Sequence, residues 1–123
     1  MEFSFSINIA GAIVTITVEG RMDQNSALTI LDSFTTHPDF RSHYGICFDV
    51  RKNTYIPGYT EVSSFYIEYG RRYKHRITGK VAFIVNNPLQ FGIARMASTI
   101  LSASLPDMEI FMSSDEALRW LRQ

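Results

Sequence analysis

The sequence predicts one α/β domain over residues 1–123: a mixed sheet of about five strands with about four helices, in the order ββαβαβαβα. Three observations predict it. Two alternating apolar segments near the N-terminus are joined by a turn, two later segments are apolar without alternation, and the stretches around those later segments carry helical spacing.

Phe3, Phe5, Ile7 and Ile9 alternate with Glu2, Ser4, Ser6 and Asn8, the period of a strand with one buried face. After Ala10-Gly11, Val14, Ile16 and Val18 alternate with Thr15, Thr17 and Glu19, which predicts a returning hairpin strand ended by Gly20. From Asp23, Ala27, Leu28, Ile30, Leu31 and Phe34 share one helical face, and His37-Pro38 supplies a stop. Ile46 to Val50 and Lys80 to Val85 read as central parallel strands covered on both faces.

Between them, Pro57-Gly58 precedes a second helix bearing Val62, Phe65, Tyr66, Tyr69 and Tyr73, expected to end near Gly79. Asn87, Pro88 and Gln90 form the start signals of a third helix, Asn87 as cap and Gln90 completing a capping box. Its apolar stripe is Leu89, Ile93, Met96, Ala97, Ile100 and Leu101. Met108 to Met112 then reads as a short strand, and Ser113 with Glu116 opens a last helix that buries Ala117, Leu118, Trp120 and Leu121. Right-handed crossovers place the helices on the sheet faces.

Lys plus Arg and Asp plus Glu each total 12, so no net charge recruits nucleic acid or an anionic surface. The single cysteine, Cys47, excludes an internal disulfide and fits a reducing compartment. MEFSFSINIA lacks the basic start and apolar core of a signal peptide, and no run approaches the roughly 20 apolar residues of a membrane span. These features suggest a soluble cytoplasmic protein, with peripheral membrane contact and homodimerisation left open.

The element order, with FDVR ending the first central strand, NNPLQFGIARM opening the third helix and SSDEALRWL near the C-terminus, resembles the SpoIIAA-like branch of STAS domains over nearly the whole chain. The resemblance implies a regulatory or sensing module. STAS antagonists of anti-sigma factors carry an Asp-Ser-Ser-Gly-like phosphoacceptor at the start of the second helix. Here that stretch is RKNTYIPGYTEVSS, with no serine at the place, and Thr60, the nearest hydroxyl, reads first as a helix cap. The SpoIIAA-like branch also resembles the CRAL-TRIO lipid carriers, which implies apolar ligand binding or membrane association.

His37, His43 and His75 are scattered without metal-ligand spacing, so neither a metal nor a cofactor is expected. Cys47 lies mid-strand among apolar neighbours, as a small hydrophobe would. No nucleophile elbow or phosphate-binding glycine loop occurs, and no catalytic constellation can be assembled. The cluster Arg71, Arg72, Lys74, His75 and Arg76 suits a solvated helix C-terminus; an acidic partner or anionic headgroup is the sharper alternative. Tyr66, Tyr69 and Tyr73 read as packing residues with hydroxyls at the edge of the core.

Open α/β sheets place ligands at the carboxyl ends of their strands. The candidate site there comprises Arg51, Lys52, Asn53, Tyr55, Tyr59 and Thr60 with Asn86 and Gln90, and Asn87, Ser113 and Ser114 lie at the adjoining helix starts. Arg51, Lys52, Tyr55 and Tyr59 have no structural duty evident in the pattern, and the edge is expected to favour an acidic or carboxylate group. The first expectation is therefore a non-enzymatic module that binds a protein partner through the loop after the first central strand and helix two. The alternative is a carrier or sensor of a small apolar or amphiphilic ligand.

Overall fold

The computed structural model describes residues 1–101 and 107–123, without the side chain of Leu101, so the place of Leu101 on the third helix's stripe lies outside the described residues. In chain order the elements are β1 (Glu2–Asn8), β2 (Ile13–Gly20), α1 (Gln24–Thr35), β3 (Gly45–Asn53), α2 (Tyr59–Arg72), β4 (Val81–Ile84), α3 (Pro88–Leu101), β5 (Met108–Phe111) and α4 (Ser114–Leu121). The strands lie side by side in that same order in one sheet. β1 and β2 are antiparallel, Phe5 facing Ile16, and the remaining pairs are parallel.

Because each crossover advances one strand in the same direction with the same hand, α1, α2 and α3 fall on one face of the sheet. Their apolar stripes meet Val14, Ile16, Val18, Ile46, Phe48 and Val50 there, around a fully buried Phe34. The chain then passes the edge strand β5, and α4 returns on the opposite face. Ala117 and Leu121 cover Ile13, Cys47, Ala82 and Ile84 on that side. The near-continuous apolar run in β3 thus serves two cores, even-numbered residues facing α1–α3 and Cys47 facing α4.

Asp23 caps α1 by accepting from the Ser26 amide at 2.9 Å. Ser113 caps α4, accepting from the Glu116 amide at 3.4 Å. The second helix ends at Arg72 and not near Gly79. Tyr73 closes it, and its carbonyl then accepts from Arg76 and Ile77 at 3.0 and 2.9 Å, turning the chain so that both Tyr73 and Ile77 enter the core. Beyond the turn, Gly79 crosses so close to the 43–44 segment that a Cβ would stand 2.4 Å from the Tyr44 carbonyl oxygen. The pairing of β2 with β3 shifts register between Thr17 and Glu19, so the end of β3 carries an extra residue before Lys52 pairs with Glu19.

Candidate functional site

The carboxyl edge of the sheet opens into a cavity of about 270 Å³ between the strands and α1–α3. Its floor is the even face of β3, Ile46, Phe48 and Val50, with Val81 and Phe83 of β4. Ring stacking of Phe48 on Phe83, centroids 5.1 Å apart, flattens that floor. α2 contributes Val62, Phe65 and Tyr69, and α3 contributes Leu89, Ile93, Ala94 and Ala97. The alanines create the space: Ala27 of α1 and Ala94 and Ala97 of α3 stand where larger residues would fill the layer.

α2 and α3 run back against the strand direction, so their N-termini surround the mouth. Polar lining belongs mostly to that mouth, where Asp23, Asn53, Thr54, Glu61, Asn87 and Gln90 gather. Toward the amino ends of β4 and β5, Ile77, Val81 and Met108 close the far end together with Tyr69. No lysine, arginine or histidine lines the cavity among the described residues.

Tyr69 is 4% exposed, and its hydroxyl has no hydrogen-bond partner among the described residues. Burial raises its pKa well above the ordinary phenol range. For Tyr69 this corrects the expectation that its hydroxyl lies at the edge of the core. Tyr73, one turn later at the C-cap of the helix, behaves differently: its hydroxyl donates to the Asp32 carboxylate and lies 3.3 Å from the Leu28 carbonyl.

The residues singled out from the sequence divide into two groups. Asn53, Tyr55 and Gln90 line the cavity and also hold its mouth together. The Asn53 side-chain oxygen accepts from the Met22 and Tyr55 amides at 3.0 and 3.2 Å. The Gln90 amide nitrogen reaches the Val50 and Arg51 carbonyls at 3.2 and 3.3 Å, which satisfies acceptors left by the bulged end of β3. Gln90 also completes a cap, with its backbone N–H donating to Asn87 Oδ1 at 2.8 Å, while its side-chain oxygen accepts from the Asn86 amide at 2.9 Å.

Arg51, Lys52, Tyr59, Thr60 and Asn86 do not line the cavity. Arg51 and Tyr55 have structural duties that the pattern did not reveal. Arg51 pairs bidentately with Asp49, and Tyr55 donates its hydroxyl to Glu61 while Arg21 lies 4.2 Å above its ring. Thr60 is not the cap of α2: that place is taken by Gly58, whose extended backbone precedes Tyr59, leaving Thr60 exposed in the first helical turn. Tyr59 is 68% exposed and the cavity-lining Ile56 54%, which leaves an apolar surface next to the mouth.

The basic end of α2 is partly neutralised, Arg71 bonding Glu68 at 2.8 Å and Arg72 bonding Glu68 at 3.3 Å. Cys47 is 1% exposed, and desolvation, helped by Asp49, pushes its thiol up to about 11. No group of His, Cys, Asp and Glu is placed to hold a metal among the described residues, and none of their helices is long and apolar enough to cross a membrane.

Pattern reasoning missed Phe48, Phe65, Tyr69, Phe83, Ala94 and Ala97 as cavity residues, since each reads as ordinary core. The available signal was the pairing of small residues on α3 with an aromatic-rich α2.

No family model matches the chain, and no curated protein matches it in sequence. Among solved structures it is similar to an uncharacterised protein of the DUF3478 family with a SpoIIAA-like fold from Shewanella loihica PV-4, with a TM-score of 0.64. The two are 16% identical, and the match covers 97% of this chain and 93% of that one. The likeness establishes the fold that the sequence resemblance implied.

Proposed function

From this SpoIIAA-like fold we propose a non-catalytic module that holds a small, mainly apolar molecule between the sheet and α1–α3, as a carrier or sensor. The observation that carries this reading is the cavity of about 270 Å³, floored by Phe48 and Phe83 and opening at the carboxyl edge of the sheet. Ligand sites are typically concave and apolar with a few placed polar groups, and open α/β sheets favour that edge. Native mass spectrometry of gently purified protein should show an adduct of defined mass that disappears when Ala97→Phe fills the space. Adduct-free spectra from several expression hosts would count against the reading.

A second reading, docking of a protein partner through the loop after β3 and the start of α2, is favoured by the exposed Ile56 and Tyr59. Affinity purification with wild type and Tyr59→Ala tests it. A partner set insensitive to the substitution would exclude this surface.

A further inference from the structure

Helix α2 and its C-cap bury two tyrosines one turn apart, Tyr69 and Tyr73, and only one is accounted for by the fold. The Tyr73 hydroxyl ties α2 to α1 through Asp32. Tyr69 packs its ring between Phe65 and Tyr73, with centroids at 6.0 and 5.6 Å, a contact that phenylalanine would make equally well. Its hydroxyl is buried without a partner among the described residues, and the residue lines an otherwise apolar chamber. A hydroxyl withdrawn from water and left unbonded is unfavourable, and such a group asks for a partner that the described protein atoms do not supply.

Charge at the mouth narrows the class further. Asp23 and Glu61 line the cavity while no cationic side chain does among the described residues; of the cations beside it, Arg51 is committed to Asp49 and Arg21 lies over the Tyr55 ring at 4.2 Å. An anionic ligand would have to pass two carboxylates and lie unpaired in an apolar interior. Volume sets the size: a ~150 Å³ cavity accommodates benzene, so this one has room for roughly eleven non-hydrogen atoms.

We propose, on the basis of the cavity reading above, that Tyr69 is its polar recognition group, and that the ligand is an uncharged amphiphile of about eleven non-hydrogen atoms entering with a hydroxyl or carbonyl foremost. The tyrosine donates to that oxygen at the far end of the chamber, and the apolar remainder lies over Phe48 and Phe83. The carboxylate preference expected for this edge then gives way to neutrality.

Three probes of similar shape separate the possibilities: 2-naphthol, its near-isostere 2-methylnaphthalene, and 2-naphthoate, titrated calorimetrically into the full chain at neutral pH. Wild type should bind 2-naphthol, and Tyr69→Phe should weaken it about three- to tenfold while leaving 2-methylnaphthalene unchanged. 2-Naphthoate should bind at least about tenfold more weakly than 2-naphthol. Ala97→Phe and Ala27→Phe fill the chamber from different walls, and either folded variant should lose all probes. If both neutral probes bind and Tyr69→Phe affects them alike, recognition by Tyr69 is wrong while the cavity reading survives. Equal affinity for naphthoate and naphthol would overturn the neutral class. Failure of every probe on wild type, or binding undiminished in a folded filled variant, would overturn the cavity reading and this proposal together.

Discussion

Arg51 grips Asp49 through two hydrogen bonds, Nε to Oδ1 at 2.9 Å and Nη2 to Oδ2 at 2.7 Å, and neither residue lines the cavity. The guanidinium holds the Asp49 carboxyl below its usual range, its side-chain hydrogen bond being the largest cause. A depressed carboxylate pKa adds stability that is present above the unfolded value and lost as pH falls through the folded one. Arg51→Ala should therefore cost under about 1 kcal/mol at neutral pH, because the pair is partly solvated. Urea denaturation should show that difference shrinking below pH 4. Probe binding in the cavity should be unaffected, and a marked loss would bring Arg51 back to the site.

Cys47 should behave as a core residue. Cys47→Ser places a hydroxyl against Ala117 and Leu121 and should destabilise by about 1–3 kcal/mol without altering ligand binding. The thiol pKa is raised, so the folded state keeps its proton where the unfolded state has lost it. Its contribution is complete below pH 9.0 and declines as pH rises toward about 11. The stability of wild type relative to Cys47→Ala should fall over that window; a difference flat with pH would show the thiol to be solvated.

Gly79→Ala should be among the most damaging small substitutions in the chain. The added methyl would meet two backbone oxygens, those of His43 and Tyr44, at 2.5 and 2.4 Å. Backbone cannot swing aside like a side chain, so the expected cost is about 3 kcal/mol, at the upper end for overpacking. Thermal melts measure it, and a loss under about 1 kcal/mol would mean that the segment after Ile77 shifts freely.

Tyr69→Phe should stabilise the ligand-free protein, because the ring packing stays and an unbonded hydroxyl goes. The expected gain is about 1 kcal/mol, or roughly 3–5 °C in Tm. A lower Tm would reveal that the hydroxyl has a partner in the free protein.

Most of the sheet was legible because its signals are local. Alternation in Phe3, Phe5 and Ile7 and the near-continuous apolar run Ile46 to Val50 report which faces are covered, and Ser113 and Asn87 announce their helices within three residues. The site was less legible because a cavity is a property of facing elements. Ala94 and Ala97 look like core alanines until Phe48 and Phe83 stand opposite them. The duty of Arg51 is hidden in the sequence because two-residue spacing along a strand does not disclose an ion pair. Thr60 was misplaced as a cap because Gly58, with no side-chain bond to offer, starts the helix two residues earlier.

The placement of α4 has a consequence for synthesis. Cys47, Ala82 and Ile84 are laid down before residue 85, but the helix that shields them runs from Ser114 to Leu121. Throughout elongation between those points the nascent chain carries a bare apolar strip on one side of its sheet, while the other side can already close around Phe34 and Phe48. Chains interrupted before residue 114 should therefore associate through that strip, in the manner of partly folded intermediates with exposed apolar surface.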